Sequence, residues 1–295
     1  MAGALERRRP LVRRARIWPS LALLAPGFGL LIVLLIIPLA YLFRASFNRY
    51  DPILISQPAF TLENYAKFFS SRYLGILGQT LLCGVIVTAV TLVLGFPLAY
   101  WVARRLRRGR QAVLGLIVLP FTLNTAVLAF GWATILGQSG LINEALIKIG
   151  IVDEPVKLMF TRGAVIVALA QALLPYQILS IMAVIARINP SLEEAAENLG
   201  ASRLTVFRLV ILPLALPGML AGSTFVFLGT VTAFVTPRII GGGGVKMLGA
   251  TIYEQIVQTL NWPFAAALSF ILVAVTLAVY LVANRLMHQN YLNPT

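Results

Sequence analysis

Side chains that carry chemistry are scarce in this sequence. Among 295 residues there is one histidine, His288, and one cysteine, Cys83. A lone histidine near the C-terminus has no partner for a metal site or a nucleophile–base pair, so it reads as a solvated tail residue. A lone cysteine closes no internal disulfide, and inside an apolar segment it reads as a small filler. Charge is scarce too, at 12% of residues, where soluble domains carry about 25%. The phosphate-cradling pattern G-x4-G-K-[ST] is missing. Gly241 to Gly244 followed by Lys246 has neither its spacing nor its hydroxyl residue. The chain is expected to hold no catalytic set, metal, cofactor or nucleotide of its own.

Apolar residues are abundant, at 59%, with a mean hydropathy of +0.87. Six runs contain no Asp, Glu, Lys or Arg: 17–43, 73–103, 111–143, 163–186, 209–237 and 255–284. Each exceeds the roughly 20 residues that cross a bilayer as a helix. The expected fold is all-α and integral to the membrane, with six transmembrane helices. The first run is too long for a signal-peptide core and lacks an A-x-A cleavage site, so it is expected to stay as the first span. Pro26, Gly27, Gly29 and Pro38 suggest that it is bent or broken.

The net charge of +14 invites a nucleic-acid reading, but its distribution points to a membrane. Fifteen basic residues fall on the N-terminal tail, on alternate loops and beside the end of the last span. The densest groups are Arg7 to Arg16 and Arg104 to Arg110. The other loops hold nine. The positive-inside rule then puts both termini in the cytoplasm, as an even number of spans requires.

The stretch from Asn189 to Gly218 lies between the fourth and fifth spans. Ser191 and Glu194 have capping-box spacing, and Gly200 stands where a left-handed C-cap ends a helix. Leu192, Ala195, Ala196 and Leu199 form one apolar stripe, with Glu193, Glu194, Glu197 and Asn198 off it. So short a helix is marginal in water and needs a surface to lie on, either its own membrane domain or another protein. Pro213 and Pro217 suggest a break before the fifth span, which would let the segment pivot.

Glu194, Ala195, Ala196, Gly200, Leu212 and Pro213 match the EAA loop of ABC importer permeases, EAA-x3-G-x9-I-x-L-P, with Val210 in place of the isoleucine. The chain thus resembles that family over about residues 60–287. Gly140 to Glu144, Val152 to Pro155, Met159 to Thr161, Phe234 to Arg238 and Asn261 to Ala267 look most like its polyamine (spermidine/putrescine-type) subgroup. Phe60 to Tyr65 is similar to an FTLxNY segment that precedes the permease core. The resemblance implies a type I importer fold in a bacterial cytoplasmic (inner) membrane, arranged in four parts. These are a basic cytoplasmic tail (1–16), a first helix and outer loop (17–72), a permease core (73–287) with its coupling loop at 189–213, and a cytoplasmic C-terminal tail (288–295). It implies an ATPase-coupling set of Leu192, Glu193, Glu194, Ala195, Ala196, Leu199, Gly200, Leu212 and Pro213. It also implies a second permease, two ATPase subunits that hold the ATP and magnesium, and an extracytoplasmic solute-binding protein.

The spans have no ionisable residue in their interiors, which argues against the alternative of an ion-coupled secondary transporter or channel. A non-transporting scaffold would explain six spans but not the loop. The neutral polar residues left for a translocation path are Thr122, Asn124, Thr125, Gln171, Tyr176, Gln177, Thr230, Thr232 and Thr236. For the single threonines the plainer reading of hydrogen bonding between helices is favoured, and for Asn124 and Gln171–Gln177, beside proline breaks, the two readings stand even. Gly218-x3-Gly222 is a small-x3-small pattern that would suit packing against a second subunit.

Overall fold

The computed structural model describes residues 17–106 and 108–292. The basic tail 1–16, Arg107 and the side chain of His288 lie outside the described residues. Among the described residues, six helical segments are long and apolar enough to cross a membrane: Leu24–Ala45, Ser71–Arg105, Thr125–Lys148, Arg162–Ile185, Arg203–Thr232 and Trp262–Val282.

Helix α1 (Ile17–Ala45) runs through Pro26 and Pro38 without interruption. It is exposed along most of its length and meets the rest of the molecule where Phe43 packs edge-on to Phe270, 5.0 Å between ring centroids. An apolar helix exposed in this way needs lipid or another protein chain against it. After α1 comes an element absent from the all-α expectation, a two-stranded antiparallel hairpin, β1 (Arg49–Asp51) and β2 (Ile55–Gln57). Its turn is held by Asp51, whose carboxylate accepts the amides of Ile53 and Leu54. Those two bonds hold the carboxyl below the usual carboxylate range. A short helix, α2 (Glu63–Phe68), follows, with Thr61 Oγ1 accepting from Glu63 N. Phe68 is buried.

The core is a trio: α3 (Ser71–Tyr100), α7 (Arg162–Ile185) and α10 (Leu212–Thr232). Cys83, Val87, Val165, Ala168 and Val226 share one buried cluster, and Phe96, Ile178, Ile181, Ile185 and Ala215 another. Small residues let these backbones approach. A Cβ on Gly218 would lie 2.8 Å from Ser180 O, and one on Gly222 would lie 2.9 Å from Gln177 Nε2. The Gly218-x3-Gly222 pattern therefore serves α7 of the same chain, not a second subunit. With little hydrophobic drive between helices in lipid, such close packing is what holds a bundle together.

The third charge-free run folds as two helices. These are α4 (Arg110–Thr122) and α5 (Thr125–Leu136), with Asn124 capping α5 by accepting from Ala126 N at 2.8 Å. An amphipathic helix, α6 (Leu141–Lys148), then ends at Gly150, whose φ is +74°. The fifth span is also shorter than its apolar run. It stops at Thr232, and Pro237 falls in a separate helix, α11 (Val235–Gly241).

At the other end of α10 the expected proline break is missing. Helix α9 (Arg203–Val206) passes through a π-turn at Phe207–Ile211 straight into α10. A proline at 213 has no amide to give and its ring crowds the carbonyl four residues back. One wide i→i+5 turn absorbs that misfit without breaking the rod. A second π-turn, Trp101–Arg105, continues the C-terminal end of α3. Helix α12 (Leu248–Val257), unanticipated from sequence, packs ahead of α13 (Trp262–Leu292). Because α13 runs to Leu292, most of the expected C-terminal tail is helical.

Candidate functional site: a coupling helix and a membrane cavity

Helix α8 (Ser191–Asn198) forms as expected but with a different cap. Asn189 Oδ1, not the Ser191 hydroxyl, accepts from Ser191 N at 3.0 Å, and Pro190 stands immediately before the helix with φ −55° and ψ −28° already in the helical region. Proline suits that position because its missing amide would have no partner there. The far end is a Schellman closure: Gly200 has φ +87°, Ala201 N donates to Ala196 O and Gly200 N donates to Glu197 O.

The apolar stripe faces outward. Leu192 is 47% exposed and Leu199 89%, Ala195 is exposed and Ala196 is half-buried. Glu194 is also exposed. Glu193 is turned the other way, into the chain's own membrane body. Its Oε1 lies 2.8 Å from Arg104 Nε, and its Oε2 accepts from Tyr100 OH at 3.0 Å. Leu212 and Pro213 are the first residues of α10, behind the π-turn.

The nine candidate path residues do not assemble as one group. Thr125, Tyr176, Thr232 and Thr236 line a cavity of ≈ 340 Å³. Thr122, Asn124, Gln171, Gln177 and Thr230 do not line it. The Thr122 and Thr230 hydroxyls donate to carbonyls of their own helices, Leu119 and Val226. Asn124 caps α5. Gln171 accepts from Trp132 Nε1 at 3.3 Å, and Gln177, fully buried, donates to Met219 O at 3.2 Å. These two glutamines join α7 to α5 and to α10.

The cavity sits where two interrupted helices face each other. Its walls include Pro120, Phe121, Leu123 and Thr125 from the α4–α5 break, and Thr232 to Thr236 from the α10–α11 break. Main-chain groups released from a helix ladder at membrane depth are tolerated only where they are buried in protein or line a water-filled space. Phe121 lies against Tyr176 at 4.5 Å, and Tyr176 against Phe225 at 6.4 Å. Phe225 belongs to an adjoining groove that shares Leu173, Tyr176, Gly229 and Thr232 with the cavity. Phe121, Phe225 and Phe234 were missed as lining residues. The adjacent prolines and threonines were the available signal, but apolar aromatics in a span look like any lipid-facing residue. No Asp, Glu, Lys, Arg or His lines the cavity.

Residues 93–289, two thirds of the chain, match the family described as binding-protein-dependent transport system inner membrane component. The chain belongs to that family of ABC importer permeases. This permease is 33% identical to the spermidine/putrescine transport system permease protein PotB of Escherichia coli (strain K12), over 88% of the chain and 96% of the relative. The PotB protein of Haemophilus influenzae is also 33% identical, over 89% and 93%. Among solved structures, the permease resembles a chain of a bacterial ABC transporter involved in import of the acidic polysaccharide alginate. The TM-score is 0.70 at 21% identity, covering 93% of this chain and 96% of that one. The permease is thus a multi-pass inner membrane protein with the type I importer fold.

Proposed function

We propose that this permease is the non-catalytic membrane subunit of an ATP-driven importer for a small charged solute, with a polyamine such as spermidine or putrescine the best-supported cargo. It works with a second permease and an extracytoplasmic solute-binding protein, and with two ATPase subunits that bind the ATP and magnesium. Both termini and α8 face the cytoplasm. The observation that carries this reading is the outward apolar stripe of α8 beside an EAA-type motif. A capped helix that leaves leucines exposed at the water-facing end of a membrane protein is built to be covered by a partner. Leu192, Ala195 and Leu199 fill the partner's cleft, Glu194 lies at its edge, and Gly200 sets the exit angle.

The test is co-purification. The wild-type chain brings an ATPase subunit with it from detergent extracts. Leu199→Asp, which puts a charge into the proposed contact, cuts the recovered ATPase at least fivefold without changing the permease in the membrane. Equal recovery from both would remove the coupling role.

The polyamine assignment rests on the similarity to PotB and on the cavity. With no carboxylate available, the aromatic faces of Phe121, Tyr176 and Phe225 are the groups able to attract a cation. A desolvated cation–π contact contributes up to about 2 kcal/mol. Each is weak enough to let the cargo leave. Tyr176→Ala should lower spermidine uptake about fivefold, and Tyr176→Phe, which keeps the ring, less than twofold. Uptake unchanged in the alanine variant would remove the cation–π reading.

A further inference from the structure

The π-turn of α3 and the first turn of α8 are tied by charges withdrawn from water. Arg104 and Glu193 side chains are only 12% and 18% exposed, and Nε and Oε1 approach to 2.8 Å. The approach is side-on, an ion contact rather than a linear hydrogen bond. Two further ties surround it. A terminal guanidinium nitrogen of Arg104 donates to Ile188 O at 2.7 Å, and Tyr100 OH donates to the second carboxylate oxygen at 3.0 Å. Tyr100 also packs edge-on to Phe207, 6.0 Å between centroids, in the other π-turn. Phe96 packs on Phe207 at 5.3 Å. The other ion pairs among the described residues, Arg49–Glu63 and Lys148–Glu144, are exposed and longer, at 3.7 and 3.8 Å.

A surface ion pair holds little, but a desolvated one resists separation because parting it strands a charge in a poor solvent. Glu193 sits in the first turn of α8, where the helix dipole favours an anion. The chain that leads into α8 is therefore held at Ile188, and the helix itself at Glu193, by one arginine of another span.

We propose that Arg104, Glu193 and Tyr100 form a clamp that makes α8, the end of α3 and the start of α10 move as one body. Arg104 and Glu193 act as positioning residues for coupling. This rests on the coupling role proposed for α8. Without the clamp, α8 is a short helix on two strands of chain, and a push from the ATPase tilts it instead of moving the spans. With it, the push enters α3 through the guanidinium and α10 through the Phe207 turn. The clamp stays closed through the transport cycle.

The test uses the complete importer in proteoliposomes, with loaded binding protein and spermidine, and measures ATP hydrolysed per spermidine moved. Glu193→Gln and Arg104→Gln are expected to bind the ATPase normally and hydrolyse ATP at near the wild-type rate, but to consume at least fivefold more ATP per spermidine. The exchanged pair Arg104→Glu with Glu193→Arg returns the ratio to within twofold. Tyr100→Phe, which keeps the ion contact, raises the ratio about twofold and decides the matter if the exchanged pair does not fold. Wild-type ratios in both glutamine variants would overturn the clamp. So would uptake and ATPase activity lost in equal measure with the assembled complex, which marks a merely structural pair. If Leu199→Asp still strips the ATPase while Glu193→Gln is silent, the clamp alone has failed. If no ATPase accompanies the wild-type chain, the coupling role has failed first.

Discussion

Gly200→Val leaves the permease in the membrane but lowers uptake at least tenfold. The reason is confined to the backbone. Gly200 has φ +87°, and nothing lies within 4 Å of where a Cβ would sit, so the valine meets no neighbour. It meets its own main chain, at a cost of about 1–2 kcal/mol for a side chain in the left-handed region, more for a branched one. Relief comes by giving up the Schellman bonds from Ala201 and Gly200, which unwinds the end of α8 and turns it relative to α9. The membrane body is untouched, so abundance by immunoblot should match wild type while solute uptake does not. Gly200→Asn is the control, because asparagine enters the left-handed region at little cost, and it should retain most of the uptake. Normal uptake in the valine variant would remove the role given to this turn.

Gly218→Leu produces the largest loss of folded protein. A Cβ there would meet Ser180 O at 2.8 Å, Val184 Cγ2 at 2.9 Å and Ile181 Cα at 3.1 Å. Two of those three atoms are backbone, so relief requires α7 and α10 to separate. Overpacking costs about 1–3 kcal/mol when side chains can yield, and here they cannot. The purified chain should unfold at a clearly lower temperature and reach the membrane in several-fold smaller amount, with Gly218→Ala between the two. If the glycine instead faced a second subunit, the isolated variant would melt like wild type and only its assembly would fail. Melting of the isolated chain separates the two cases.

Most of the span pattern was legible because length and the absence of charge are strong signals in a bilayer. Gly200 also reads correctly as the end of a helix, since caps are local chemistry. What escaped depended on contacts far apart in sequence. Pro213 gave a sound reason for a break, but a π-turn upstream relieved the same strain. Thr122-Leu123-Asn124-Thr125 carried the signature of a cap inside an apolar run, and the run's lack of charge masked the interruption. Glu193 reads from sequence as a member of the coupling set off the apolar stripe, because its partner, Arg104, is 89 positions earlier in a cluster that the positive-inside rule already explains. The hairpin at Arg49 to Gln57 is too short to show a period.

The charge-free interiors of the six spans have an electrical consequence. Carrying one elementary charge through a potential of 100 mV involves about 2.3 kcal/mol. Helices whose ionisable groups all stay at their ends carry no such charge when they rearrange. The rearrangement itself should therefore be insensitive to membrane voltage, and any voltage dependence of import will scale with the charge on the cargo.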